Sequence, residues 1–178
     1  SGPRMLALSL NEVLALAALV MPIAAALLAS RLVTADTEGR MDETWSALGQ
    51  PQGTRFAAKT IVLATTLTLL QLVILAFAAL VGPAAGLRIT PGYRAALLPA
   101  ALVLAASVLA ATAAQLALST RVPKQAVATG IAAVATIACT GLPYAGIQAA
   151  GWLLPWGLIG AAQPIDQLAS QTTATHDV

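Results

Sequence analysis

The chain has 178 residues, of which 58% are hydrophobic and only 9% charged, with a formal net charge of +2. Soluble domains carry roughly 25% charged residues; this departure, with several uncharged apolar runs of about 18 residues or more, predicts an all-α polytopic membrane protein. So small a positive balance excludes a nucleic-acid surface, the single Cys139 excludes an intrachain disulfide or a cysteine metal pair, and the lack of alternation in the runs excludes a β-barrel.

In chain order, the first span is expected over residues 13–30, closed by Arg31, with Pro22 near its middle and Asn11 and Glu12 at its outer end. It lacks the basic leader and small-residue cleavage site of a secretion signal. Residues 34–59 follow, the one long polar stretch between strongly apolar ones. They hold Asp36, Glu38, Asp42 and Glu43, with Arg31, Arg40, Arg55 and Lys59 inside or at the edges. The first half predicts a short amphipathic helix, with Asp36 and Glu38 at its N-terminus, where negative charge is favoured. Met41, Trp45 and Leu48 recur at i, i+4 and i+7 as one apolar stripe, and Gly49 and Pro51 end the helix.

The second span is expected over 60–81, halted by Gly82-Pro83, and the third over 96–118, after a Gly- and Pro-rich connector carrying Arg88 and Arg94. A short basic turn with Arg121 and Lys124 leads to a fourth span over 126–142. Residues 143–163 interleave Gly and Pro with Tyr144, Trp152 and Trp156. They leave too few uninterrupted apolar residues to cross a core of about 30 Å, and read as a re-entrant or interfacial segment with its aromatics at headgroup level. Residues 164–178 form a polar tail, so the whole chain reads as one transmembrane domain. Arg31, Arg40, Arg55, Lys59, Arg121 and Lys124 fall on one side and Arg4, Arg88 and Arg94 on the other, which assigns residues 34–59 to the cytoplasm.

Polar residues recur on single faces of the spans: Thr65, Thr68 and Gln71 in the second, Ser107, Gln115 and Ser119 in the third, Thr129, Thr136 and Thr140 in the fourth. One reading is hydrogen bonding between helices. The other is a weakly polar transport path lined by Thr65, Thr68, Gln71, Ser107, Gln115 and Thr136. No catalytic constellation is present. The one histidine, His176, lies in the polar tail, and the glycine-rich stretch from Gly49 to Gly53 lacks the lysine of a phosphate-binding loop. The chain is therefore expected not to be an enzyme, and any ATP would be bound by another chain. Glu12 is the one carboxylate touching a span, either as an interfacial residue or as a carrier carboxylate.

An acidic residue after a span, a short amphipathic helix, a break, and basic residues entering the next span appear here as Glu38-Gly39, Leu48, Pro51, Arg55 and Lys59. This pattern resembles ABC-2-type transporter permeases, and particularly the lantibiotic-type permeases of Gram-positive bacteria, with Trp45 in mid-helix and a later Trp-Leu-Leu-Pro-Trp segment. The resemblance implies a coupling helix that seats in a groove of an ATP-binding subunit through Glu38, Arg40, Met41, Asp42, Trp45 and Leu48. It also implies a second permease subunit, alike or different, and a place in the plasma or inner membrane. ATP and magnesium would be held by the partner, with no cofactor on this chain, and the expected cargo is an antimicrobial peptide or hydrophobic drug. Family permeases have six spans, so the four read here would match the second to the fifth. Two rivals stand beside this reading: a small proton-coupled multidrug exporter acting as a homo-oligomer through Glu12, and a non-transporting membrane scaffold.

Overall fold

The computed structural model describes residues 6–89, 93–122 and 124–162. The expected polar tail, 164–178 with His176, lies outside the described residues, as do Arg4 and residue 163 of the expected re-entrant segment. Among the described residues the fold is all-helical. It comprises α1 (Leu6–Glu38), α2 (Met41–Ala47), α3 (Gln52–Ala84), α4 (Tyr93–Arg121), α5 (Gln125–Gly141), a 3-10 helix (Gln148–Leu153) and α6 (Leu158–Ala162). Three of these, α1, α3 and α4, are long and apolar enough to cross a membrane, which is compatible with a multi-pass membrane protein.

The helices overrun the apolar runs that announce them. α1 begins seven residues before the expected span and continues through Ser30 and Arg31 to Glu38. Once nucleated, a helix is extended by one hydrogen bond per residue, so polar residues at its end are carried along. Asp36 and Glu38 therefore sit in the last turns of α1 and do not open the next helix. A carboxylate is disfavoured at a helix C-terminus, and the Lys59 ammonium of α3 compensates by pairing with Asp36. Glu12 likewise lies within α1, one to two turns from its start, and is exposed. Pro22 is buried in mid-helix and withholds the N–H that the Ala18 carbonyl would receive, yet α1 remains helical through it.

α5, the expected fourth span, is apolar but has only 17 residues, so it rises about 25 Å, short of a hydrocarbon core of about 30 Å. The chain then turns back. The 3-10 helix and α6 fold against each other, with the backbones of Gly151 and Gly157 so close that a Cβ on Gly157 would lie 2.8 Å from the Gly151 carbonyl oxygen. Ile159 of α6 is buried in the common core with Leu14, Met21 and Val108.

α1 is the centre of the bundle and packs against α3, α4 and α5. Its buried positions are mostly small: Ala7, Ala17, Ala18, Ala25, Ala26, Ala29 and Ser30. In lipid no hydrophobic drive holds helices together, and close approach over small residues supplies the dispersion contact instead. The outward faces carry large apolar residues such as Leu69, Phe77 and Leu98. At one end of the bundle, the Leu6 amide donates to the Arg88 carbonyl at 2.9 Å. At the other end lie the finish of α1, all of α2, the start of α3 and the connection from α4 to α5.

Candidate functional site

The polar end is built from α1, α2, α3 and α4. A turn at Gly39 and Arg40 separates α1 from α2, and Arg40 adopts the left-handed conformation, with φ of 50°. A non-glycine residue there is strained by roughly 1 kcal/mol. Arg40 lies 3.6 Å from Glu43, but both side chains are more than 70% exposed, so the pair adds little stability. The turn instead sets the direction in which α2 leaves α1.

That direction leaves the apolar stripe of α2 largely uncovered. Met41 is 46% exposed and Leu48, which caps the helix, 68%, whereas Trp45 is half-buried. Arg40 and Glu38 are exposed beside the stripe, and Asp42 lies in the first turn of α2. Of the four acids in residues 34–59, only Asp42 and Glu43 belong to α2. The sequence-predicted stripe is thus present, on a helix of seven residues that starts after Asp36 and Glu38 and not at them.

At the same end of the bundle, a crevice of about 500 Å³ opens between the end of α1, the start of α3 and the end of α4. Asp36, Arg55 and Lys59 line it along with Val33, Phe56 and Thr120. A second recess of about 330 Å³, which shares Val33 and Thr120 with the first, lies between Ser30, Glu38, Ser119 and Gln125.

Deeper in the bundle the polar residues do different things. Ser30 of α1 meets Ser119 of α4 at 3.2 Å and Thr129 of α5 at 3.4 Å, joining three helices through hydroxyls. Gln115 Nε2 donates to the Ala128 carbonyl at 3.1 Å and ties α4 to α5. Ser107 donates to the Val103 carbonyl and Thr136 to the Ala132 carbonyl, each within its own helix. Gln71 is buried, Thr68 half-buried and Thr65 exposed on the outer face of α3. The residues read as a transport path are therefore not one lining: Ser107, Gln115 and Thr136 are inside, and Thr65 faces outward. The buried Gln71 Oε1, Thr112 Oγ1, Gln115 Oε1 and Trp156 Nε1 have no hydrogen-bond partner among the described residues.

Sequence reading missed Ser30, which closes an apolar run, although Thr34 follows one turn later and its hydroxyl donates to the Ser30 carbonyl at 2.9 Å. It also missed the Asp36–Lys59 pair, since Asp36 was placed at the start of the amphipathic helix and Lys59 at the entry to the next span. The only available signal was that both lie where adjacent helices meet water. No cluster of three or more metal-ligating side chains occurs among the described residues. Comparison of the chain with family models, with curated proteins and with solved structures returned no match.

Proposed function

We propose that this chain is the membrane permease subunit of an ABC-type exporter, moving a hydrophobic or peptide substrate with ATP hydrolysed by a partner subunit. The observation that supports the reading is the apolar stripe of α2. Two large apolar side chains, Met41 and Leu48, project from a short helix that stands beyond the apolar spans and leaves them exposed among the described residues. A helix of this kind is suited to a partner's groove, with Met41, Trp45 and Leu48 as anchors and Arg40, Asp42 and Glu43 as the charged rim. A second permease subunit would complete the pathway, since the four larger helices enclose no continuous polar lining of their own.

The membrane-surface alternative for α2 differs in its consequences. A helix lying on a leaflet loses membrane contact when its stripe is truncated, but no protein is released. The test is purification of the permease from its native host with whatever ATP-binding protein accompanies it. Because Met41 and Leu48 are exposed, the double variant Met41→Ala, Leu48→Ala is expected to fold normally. It should lose the ATP-binding subunit by roughly thirtyfold in affinity, as for a hot spot of about 2 kcal/mol. Retention of that subunit at wild-type stoichiometry would refute the coupling role. Export that survives the loss of the ATP-binding subunit and fails on Glu12→Gln would favour the proton-coupled exporter.

A further inference from the structure

The folded-back segment after α5 reaches the middle of the bundle at one point. Pro22 is the middle residue of α1, and Ser107 is the middle residue of α4. Both line a cavity of about 10 Å³, walled by Met21 and Val108 and, from the folded-back segment, by Trp156 and Ile159. Tyr144 and Trp152 of that segment are exposed, whereas Trp156 stands level with the midpoints of two spans. The chain path explains the difference. Trp156 lies in the link between the 3-10 helix and α6, and α6 packs on both α1 and α4.

Polar groups at that depth have few possible partners. The Trp156 indole Nε1 is shielded from solvent and donates to none of the described residues. An indole nitrogen is a donor only, and a donor left bare in an apolar interior is costly. Ser107 supplies one acceptor. Its hydroxyl proton is committed to the Val103 carbonyl at 2.7 Å, which leaves a lone pair on the oxygen. Pro22 supplies another through its missing N–H: the carbonyl of Ala18, four residues before it, abuts the proline ring and receives no amide from it. The cavity beside these groups has about the volume of one water-sized probe. It is too small for an organic group, and no charged residue lines it to hold an ion.

We propose that this cavity holds one structural water, which accepts from Trp156 Nε1–H and donates to Ser107 Oγ and to the Ala18 carbonyl. Three hydrogen bonds are the usual complement of a buried water. The bridge satisfies the indole without a direct contact between Trp156 and Ser107, and it pins the folded-back segment to the middles of α1 and α4.

The test uses the full chain in lipid nanodiscs with its tryptophan indoles labelled with nitrogen-15. Trp45→Phe, Trp152→Phe and Trp156→Phe assign the three indole signals. The Trp156 indole proton is expected to show a through-space cross-peak to a long-lived water, and Ser107→Ala should remove it. Reversible unfolding gives a second readout that needs no cross-peak. Ser107→Ala should raise the unfolding constant about fivefold in the natural chain and leave it nearly unchanged in a Trp156→Phe background. In a background of Trp152→Phe, whose indole is exposed, the fivefold effect should persist. A Trp156 indole with no water cross-peak would overturn the proposal, by showing a dry cavity or a direct hydrogen bond. A cross-peak that survives Ser107→Ala, or an effect of Ser107→Ala that is the same with and without the Trp156 indole, would overturn it as well.

Discussion

α1 and α3 have the same length, 33 residues, and their most apolar windows have the same mean hydropathy. Yet half of that window is buried in α1 and only 28% in α3. The difference lies in residue size and spacing. In α1 the buried positions come as neighbouring pairs repeated each turn or two: Ala17 and Ala18, Met21 and Pro22, Ala25 and Ala26, Ala29 and Ser30. Paired positions make a wide face that can meet several helices. In α3 the buried positions are nearly one row: Thr60, Leu63, Ala64, Leu67, Gln71, Leu75, Ala79 and Gly82. A single row meets its neighbours along one stripe and leaves Leu69, Val73, Phe77 and Leu80 to the surroundings. Hydropathy places a helix in the membrane; the size of its residues decides whether it stands in the middle or at the edge.

The sharpest way to break this comparison is to enlarge a small residue of the hub. Ala25→Leu is expected to destabilise the bundle by about 1–3 kcal/mol through overpacking. Truncating an outward residue of the edge helix, Leu69→Ala, should stay within about 0.5 kcal/mol. Reversible unfolding in mixed detergent measures both, and equal effects would remove the distinction. An intermediate effect is expected where the edge helix does make a close approach. A Cβ at Gly82 would fall 2.7 Å from Leu6 Cδ1 and 3.0 Å from Leu87 Cδ1. Both are flexible ends that can rotate away, and alanine also favours the helix, so Gly82→Ala should cost about 1 kcal/mol or less in the same titration. The smallest effect belongs to the hydroxyl junction. Hydrogen bonds between membrane helices average about 0.6 kcal/mol, so Ser30→Ala should lose about that much. A loss several times larger would mean that Ser30 organises the polar end and does more than decorate it.

The helical class and the apolar spans were legible because uncharged runs of sufficient length admit no other structure in lipid. The stripe of Met41, Trp45 and Leu48 was legible because helical spacing survives any error in the helix boundary. The boundaries themselves were not. Charge at Asp36 and Glu38 suggested a new helix, but the existing one continued, and its stabilising partner, Lys59, lies 23 residues later. The extent of α5, by contrast, was legible to within one residue, since the expected span over 126–142 has the same 17 residues as the helix; that such a length falls short of a full crossing was overlooked because its composition is that of a span. The reading of Thr65 beside Gln71 on one face ignored that a narrow contact row covers only part of a helix face. The partners of Ser30 were invisible for a simpler reason: pairing across the bundle depends on which helices become neighbours.

The Ser30 junction also has a consequence in time. Its partners, Ser119 and Thr129, lie 89 and 99 residues further along the chain. Synthesis proceeds at about 5–20 residues per second, so Ser30 waits roughly 5–20 s before its second partner exists. Throughout that interval the helix at the centre lacks α5, one of the described helices that cover it in the finished bundle. Its broad face of small residues is exposed to lipid or to whatever escorts the nascent chain.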